Sequence, residues 1–314
     1  MKLTVLGKYG PYPAVGGATS GYLLETGKAS FVLDMGSGVF SRLEGKIAPE
    51  KVDCIIISHF HADHCADLPI LGYYLQRLDK AGKIDGKIKV FCPKSDREIC
   101  LSISRSKYFD VTFVEEREYD FRGLKLRFFK TNHPETCYGV NATNATTATD
   151  ATDGTGDETS FSYTGDTNVC PAAEELFRRA KVVLADGGLL ERDRNDNSPH
   201  LSVEKCVEYS NKWGNKLIIS HICPSYGSKE IIKSAGRKGE WTIAEEGNSY
   251  DFSENPLISD RYFSARFRSA SGFSFSEDSP QKARSRRYLL SLRFSRRYAW
   301  RYRFVSDAEE KFIS

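Results

Sequence analysis

The sequence lacks long apolar segments, which bears first on its relation to membranes. Within its 314 residues, no apolar stretch approaches the roughly 20 residues that a transmembrane helix needs. The N-terminal segment 1–7 is short and reaches a glycine at once, so it predicts a first strand rather than a secretory signal. We therefore expect a cytoplasmic protein that does not associate with membranes.

Closely spaced cysteine pairs are also absent. The eight cysteines include no Cys-x-x-Cys pair, and most lie inside apolar runs, as Cys54 does in 52–56. Scattered cysteines of this kind are typical of small core residues in a reducing compartment. A disulfide framework is therefore not expected, and a hydrophobic fraction of 40% with 28% charged residues is ordinary for a globular protein.

Two segments differ in composition from the rest of the chain. Residues 141–159 consist largely of Asn, Ala, Thr and Asp, without a large apolar side chain. They cannot bury enough surface to offset the entropy of ordering, so we expect an inserted, disordered surface loop. Residues 257–314 hold 11 Arg and 2 Lys against 6 Asp or Glu, a net charge of +7, whereas residues 1–256 carry −4. We predict a domain over 1–256 and a separate basic tail over 257–314.

The tail interleaves arginine with aromatic residues, as in Arg-Arg-Tyr-Ala-Trp-Arg-Tyr-Arg-Phe at 296–304. This pattern favours RNA binding through phosphate contacts and base stacking. A solvated extension, or a stretch read in the wrong frame, would have the same composition, so both of these interpretations stay open.

Hydrophobic patterning predicts alternating strands and helices over the first 252 residues. Apolar runs bounded by turn residues predict strands at 2–7, 21–27, 30–36, 52–58, 88–92, 111–115, 124–131, 160–164, 181–186, 216–220, 241–245 and 249–252. Helical spacing predicts helices near 66–81, 94–106, 171–180, 202–213 and 228–235. Strands in two groups with helices between them favour two sheets with helices outside.

The chain has few histidines, and all six lie at or just after the ends of predicted strands. Three belong to the run His-Phe-His-Ala-Asp-His at 59–64, and the others are His133, His200 and His221. Three histidines and an aspartate within six residues have little use in packing, so the run predicts a metal site. A single histidine after a strand is more often structural, so His133 and His221 depend on the pattern as a whole.

The spacing predicts two neighbouring metal ions. His59 and His61, two residues apart in extended backbone, project to one side and can share an ion, whereas Asp63 and His64 point to a second ion. Two ions about 3.5–4 Å apart need a bridging oxygen, which Asp166 can supply after its strand and glycine. The expected ligands are His59, His61, His133 and Asp166 for one ion, and Asp63, His64, Asp166 and His221 for the other.

These motifs resemble those of the metallo-β-lactamase superfamily. The run 59–64, Thr-Gly-Asp-Thr at 164–167 and Ile-Ser-His at 219–221 are similar to its successive metal motifs, and the acid of 33–38, Asp34, to one that supports the site. Pro-His-Leu-Ser at 199–202 resembles an extra motif of the ribonuclease Z-like branch, which includes short bacterial metallohydrolases of unassigned substrate. The resemblance covers about residues 2–252. It implies an α/β fold, a four-layer αβ/βα sandwich, and two Zn²⁺ ions, although Mn²⁺ or Fe²⁺ would also suit these ligands.

At two places the sequence departs from the family pattern, and each departure argues against one known activity of the family. Class B β-lactamases commonly have a cysteine ligand where this chain has Asp166, which disfavours antibiotic hydrolysis. Ribonuclease Z carries a long arm for tRNA between its third histidine and aspartate motifs. Here His133 and Asp166 are only 33 residues apart, and the low-complexity segment fills much of that interval. The departure argues against tRNA processing.

We expect a hydrolase, foremost a phosphodiesterase for RNA or a small-molecule nucleotide. The two metals would lower the pKa of a bridging water to about 7, with Asp63 accepting or steering its proton. His200 would protonate the leaving oxygen, unless it is a structural residue capping the helix that starts at Ser202. Asp34 is expected to hold a ligand histidine, whereas Asp186 is either such an acid or a turn residue.

The ligands alone leave further functions open, because function depends on the loops around the site. The same metals would serve thioester, lactone or glyoxalase II-like ester hydrolysis. The sequence is also compatible with a role in RNA binding or scaffolding that is dominated by the tail, and with an inactive protein whose motifs are intact. The sequence is also compatible with a homodimer.

We expect truncation after residue 256 to abolish RNA affinity and to preserve hydrolysis, because the basic tail and the metal motifs occupy separate parts of the chain. Mobility shifts with a single-stranded RNA and hydrolysis of an aryl phosphodiester measure the two properties. Unchanged RNA affinity in the truncated chain would exclude the tail as the RNA-binding element.

Overall fold

The computed structural model describes residues 1–144 and 160–252, and the predictions for 145–159 and for the tail 257–314 lie outside the described residues. The strands are β1 (Lys2–Gly7), β2 (Gly21–Glu25), β3 (Ser30–Leu33), β4 (Cys54–Ile56), β5 (Ile88–Cys92), β6 (Phe109–Phe113), β7 (Glu118–Phe121), β8 (Leu124–Lys130), β9 (Tyr138–Asn144), β10 (Phe161–Tyr163), β11 (Val182–Asp186), β12 (Lys216–Ser220), β13 (Glu240–Ile243) and β14 (Ser249–Asp251). The helices are α1 (Val39–Glu44), α2 (Ala62–Cys65), α3 (Leu68–Lys80), α4 (Arg97–Arg105), α5 (Pro171–Arg178), α6 (Val203–Trp213) and α7 (Ser228–Ala235).

The described strands form two sheets of seven. The first sheet has the order β14-β1-β2-β3-β4-β5-β6, and the second has the order β13-β12-β11-β10-β9-β8-β7. Strands β3 to β6 are parallel to one another, as are β10 to β13. Because the carboxyl ends of parallel strands meet at one edge of a sheet, the loops that follow them gather there.

The sheets pack face to face, and the helices cover their outer faces. Alternate strand residues, such as Phe31 and Leu33 in β3 and Val182 and Leu184 in β11, belong to the core between the sheets. Their neighbours along the strands face outward, where Val32 packs with residues of α1, α3 and α4. On the other side, α5, α6 and α7 cover the second sheet. This alternation with a period of two produces four layers, which confirms the predicted αβ/βα sandwich.

Short or polar elements escaped the prediction. The helix predicted over 66–81 is α3, preceded by the single turn α2, and α1 and β7 were not predicted. Helix α1 has only six residues and begins after Gly38 without a side-chain cap, so no start signal marks it. Strand β7 alternates Glu-Tyr-Asp-Phe at the edge of the second sheet. Neither is long enough for periodicity to identify it.

Strand β9 was not predicted either, and the predicted surface loop at 141–159 is wrong for its first four residues. Residues 141–144 complete β9, and the side chains of Asn141 and Ala142 are buried. The Asn141 amide donates to the carbonyl of Phe161 at 3.2 Å and to the Ser162 hydroxyl at 3.1 Å. Because its polar group is satisfied inside the protein, this low-complexity stretch can take part in a sheet. Over the described residues, no helix has the length and apolar character needed to cross a membrane.

We expect Asn215→Ala to destabilise the fold by about 1–3 kcal/mol, because the buried Asn215 amide caps the last turn of α5. Its nitrogen donates to the carbonyls of Phe177, at 2.9 Å, and of Ala180. Thermal unfolding should show a midpoint lowered by roughly 2–10 °C. The exposed Asn197 supplies the matched control, Asn197→Ala, and equal midpoint shifts in the two variants would contradict this account.

Candidate metal centre

All six histidines converge with Asp63, Asp166 and Asp186 at the strand ends of the two sheets. The run 59–64 follows β4, and His133 lies in the loop between β8 and β9. From the second sheet, Asp166 follows β10 and His221 follows β12 directly, while His200 precedes α6. The topology therefore brings together residues that are up to 162 positions apart, between His59 and His221.

The first ligand group consists of His59, His61, His133 and Asp166. The Nε2 atom of His59 lies 3.0 Å from Nδ1 of His61 and 3.7 Å from Oδ2 of Asp166. Nε2 of His133 lies 3.9 Å from the same carboxylate oxygen. Atoms that share one tetrahedral ion at about 2.0–2.2 Å lie roughly 3.3–3.6 Å apart, so these atoms surround a position of the right size.

The second ligand group consists of Asp63, His64, His221 and the same Asp166. Nε2 of His64 lies 3.2 Å from Oδ1 of Asp166 and 3.5 Å from Oδ2 of Asp63. Nε2 of His221 lies 3.2 Å from Oδ2 of Asp63 and 3.3 Å from Oδ2 of Asp166. Asp166 therefore faces both groups, as the sequence predicts for a bridging carboxylate.

The unsatisfied atoms of the site fit a metal. Nε2 of His64 and Oδ1 of Asp166 are buried and lie 3.2 Å apart, yet neither has a hydrogen-bond partner among the described residues. Buried polar atoms without partners are costly, and each needs an explanation. A divalent cation between them would satisfy both atoms, and carboxylate and imidazole are the ligands that such an ion prefers.

Partners behind the site hold the far nitrogen of two of these histidines, His64 and His133. Nδ1 of His64 lies 2.7 Å from Oδ2 of the buried Asp34, and Nδ1 of His133 lies 3.3 Å from the Glu135 carbonyl. With Nδ1 donating, the Nε2 lone pair faces the site, which is the arrangement common in metal proteins. The geometry places Asp34 where the predicted supporting acid belongs.

Asp186 and His200 form a pair beside the second ligand group. Nδ1 of His200 lies 3.0 Å from Oδ2 of Asp186, and the His200 ring centroid lies 4.7 Å from that of His221. The interpretation of His200 as a helix cap is wrong, because the Ser202 hydroxyl accepts from the Lys205 amide at the start of α6. Asp186 is not a turn residue alone, since it also accepts from the Thr167 amide at 3.0 Å.

Electrostatics favour a charged carboxylate at Asp166 and neutral imidazoles at His59 and His133. Burial alone would raise the pKa of Asp166, but the charges of His221 and His64 lower it well below its usual range. Burial lowers the pKa of His59 and of His133, which keeps their imidazoles in the neutral form that binds metals. Burial would also lower the pKa of His200, but the Asp186 carboxylate outweighs this effect and raises it to about 9.

The backbone is strained where two site residues leave their strands. Asp34 and His221 have φ values of 58° and 56°, a left-handed conformation that non-glycine residues rarely adopt. Gly10, in the loop after β1, packs directly on the His221 ring, since a Cβ at this position would overlap with Nε2 of His221. This close approach requires glycine and brings the loop to the edge of the site.

The structure brings together every residue of the two predicted ligand groups, but sequence reasoning missed the hydroxyl groups behind them. Ser58 and Tyr163 both donate to Asp34, at 2.8 and 2.6 Å. Ser58 directly precedes the histidine run, and that position is the only signal in the sequence. Tyr163 resembles any other aromatic residue of a strand, and only the packing of the two sheets reveals its partner.

Comparisons with known proteins agree with this geometry. The family model of the beta-lactamase superfamily domain matches residues 31–222. The probable metallo-hydrolase YhfI of Bacillus subtilis is 26% identical over 252 residues, which covers 79% of this chain and 98% of YhfI. The crystal structure of YhfI superimposes with a TM-score of 0.70 over the same shares of the two chains.

Other relatives have the names of RNA-processing enzymes. A ribonuclease Z of Ignicoccus hospitalis is 30% identical over 148 residues, 45% of this chain and 48% of that enzyme. The human short-form tRNase Z shares the fold, with a TM-score of 0.62 at 16% identity, covering 81% of this chain and all of that one. Since the family model matches more than half of the 314 residues, the chain belongs to the metallo-β-lactamase superfamily of metal-dependent hydrolases, with relatives in the ribonuclease Z branch.

Proposed function

We propose that the protein is a dinuclear zinc-dependent phosphodiesterase that hydrolyses RNA or nucleotide phosphodiesters. The observation that carries this proposal is the single carboxylate, Asp166, facing two complete ligand groups, with the His200–Asp186 pair beside them. Two-metal sites with a shared carboxylate suit displacement at phosphorus, where attacking and leaving oxygens both need stabilisation. The ribonuclease Z relatives support a phosphodiester substrate.

Two bound divalent ions would supply Lewis-acid polarisation of the phosphoryl group and a lowered pKa for water. The chain supplies the remaining functions. Asp63 would steer the attacking water by accepting a hydrogen bond from it: burial raises the pKa of Asp63, but contacts with His221 and His64 outweigh this effect and keep the pKa low, so the carboxylate stays ionised. Asp166 faces both ligand groups and would fix the distance between the two metal positions.

The His200–Asp186 pair favours a substrate with an alkoxide leaving group over a thioester. Asp186 holds the His200 ring through Nδ1, and within the described part of the chain Nε2 has no hydrogen-bond partner. Nε2 can therefore hand a proton to a leaving oxygen. An alkoxide needs this proton because it is a strong base, whereas the thiolate released from a thioester does not.

We expect the purified protein to contain about two zinc ions per chain, and chelation to abolish hydrolysis of bis(4-nitrophenyl) phosphate, because both ligand groups are complete. Elemental analysis and a spectrophotometric assay measure these two properties. His59→Ala should lower the metal content towards one ion. Gln76→Ala, an exposed residue of α3, is the control and should retain both ions.

A protein with two ions and no phosphodiester turnover would contradict the proposed substrate and favour esters, thioesters or lactones. A metal-free protein that remains metal-free after incubation with Zn²⁺ would contradict the metal centre itself.

We expect His200→Ala to lower kcat for an alkyl phosphodiester by roughly 10²–10⁴-fold, the usual contribution of general acid catalysis. The loss should be much smaller for a 4-nitrophenyl leaving group, which departs without a proton. Steady-state kinetics with a paired set of alkyl and aryl substrates measure the difference. Asp186→Asn should show the same leaving-group dependence, because it removes the charge that orients His200.

Metal content provides the control for this pair of variants, since His200 lies outside both ligand groups. Loss of an ion in His200→Ala, or an equal loss of rate for both leaving groups, would refute its assignment as proton donor.

A further inference from the structure

Ser58, the residue before the histidine run, lies at a junction between Asp34 and two ligand histidines. It is buried, with an exposed fraction of 1%. Its hydroxyl oxygen lies 2.8 Å from Oδ2 of Asp34, 3.1 Å from Nδ1 of His59 and 3.4 Å from Nδ1 of His64. Its amide also donates to Oδ1 of Asp34 at 2.7 Å.

Counting protons assigns a direction to each of these contacts. A serine hydroxyl has one hydrogen and two lone pairs, and the carboxylate can only accept, so the hydrogen goes to Asp34. Towards a histidine, the Ser58 oxygen can therefore only accept. Since His64 has a shorter bond to Asp34 itself, at 2.7 Å, the oxygen is available to the Nδ1–H group of His59.

His59 has few other ways to place this proton. The side chain is fully buried, and among the described residues its Nδ1 atom has, apart from Ser58, only the Cys137 sulfur as a hydrogen-bonding neighbour, at 3.7 Å. Sulfur is a weak acceptor, and that distance is long. The contact with Ser58 thus determines which nitrogen of His59 carries hydrogen, and leaves the Nε2 lone pair directed into the first ligand group.

We propose that Ser58 is a positioning residue that transmits the orienting effect of the Asp34 carboxylate to His59 through its hydroxyl group. We call this chain of contacts, from Asp34 through Ser58 to His59, the relay. One buried acid then orients one histidine in each ligand group: His64 by direct contact and His59 through the serine hydroxyl. This inference rests on the proposed two-metal function and deepens it. It differs from a general structural role for Ser58 because it predicts unequal effects on the two ions.

The unequal effect on the two ions follows from the hydrogen bonds of the two histidines. Without the hydroxyl, His59 loses its acceptor and can turn its ring or shift its proton to Nε2, which removes one ligand from the first group. His64 keeps its own bond to Asp34, so the second ligand group stays oriented. Partners of this kind typically change metal affinity by 10–100-fold.

The test is a titration of the metal-free, full-length protein with Zn²⁺ by calorimetry, and with Co²⁺ by absorption spectroscopy. In Ser58→Ala, one ion should bind with the affinity it has in the wild type, and the other should bind roughly 10–100-fold more weakly. Cys137→Ala, which removes the other neighbour of Nδ1, should retain both wild-type affinities. Asp34→Asn should weaken both ions, because it removes the common anchor.

Retention of one ion at full affinity also shows that the Ser58→Ala variant is folded. Equal weakening of both ions, unchanged binding, or a Cys137→Ala variant that reproduces the Ser58→Ala result would each overturn the relay. A wild-type protein that binds no metal would instead refute the proposed function.

A second measurement needs no variant. With only six histidines in the chain, ¹⁵N–¹H correlation spectra of the zinc-loaded wild type can report the protonated nitrogen of each ring. The relay requires hydrogen on Nδ1 of His59. A spectrum that places it on Nε2 would overturn the proposal even if Ser58→Ala failed to fold.

Discussion

The buried carboxylate of Asp34 connects the fold to the site. It accepts hydrogen bonds from the Ser58 amide and hydroxyl, which follow β4 of the first sheet, and from Tyr163 in β10 of the second. An isolated charge in this interior would be too costly to maintain, so its donors have to remain in place. Because those donors come from both sheets, the separation of the sheets is coupled to the orientation of His64, and any change in one disturbs the other.

The site is formed by residues at the ends of strands and in the segments that follow them. Parallel strands deliver Asp34, Asp166 and His221 to one edge, but an extended backbone alone would send side chains alternately to the two faces. Left-handed φ values at Asp34, Gly165 and His221 redirect the chain at the places where a carboxylate or imidazole has to turn towards the metal positions. The strain at the two non-glycine residues is tolerated because the surrounding contacts are extensive, which ties local strain to function.

Much of the fold and of the ligand set could be predicted because both depend on local pattern. The β-branched strands and the run 59–64 can be read within a window of a few residues. Other features depend on distant contacts: β9 contains Asn141, whose burial depends on acceptors some 20 residues away, at Phe161 and Ser162. The contact of Tyr163 with Asp34 spans 129 positions and has no local signal. Sequence patterns therefore identify ligands better than they identify the residues that orient the ligands.

The difference between the ligand residues and the residues around them also bears on the identity of the substrate. The ligand groups are common to hydrolases that cleave esters, thioesters and phosphodiesters, so they carry little information about which bond is broken. The His200–Asp186 pair is different, since the metal positions do not need it, yet Asp186 is buried and holds its ring at 3.0 Å. The Thr167 and Gly188 amides also donate to this carboxylate, so it is held in place and can fix the orientation of an imidazole that acts on the substrate. A leaving group that needs a proton gives the imidazole such a role, and this is the physical reason to favour an alkoxide leaving group, as in a phosphodiester, an ester or a lactone, over a thiolate.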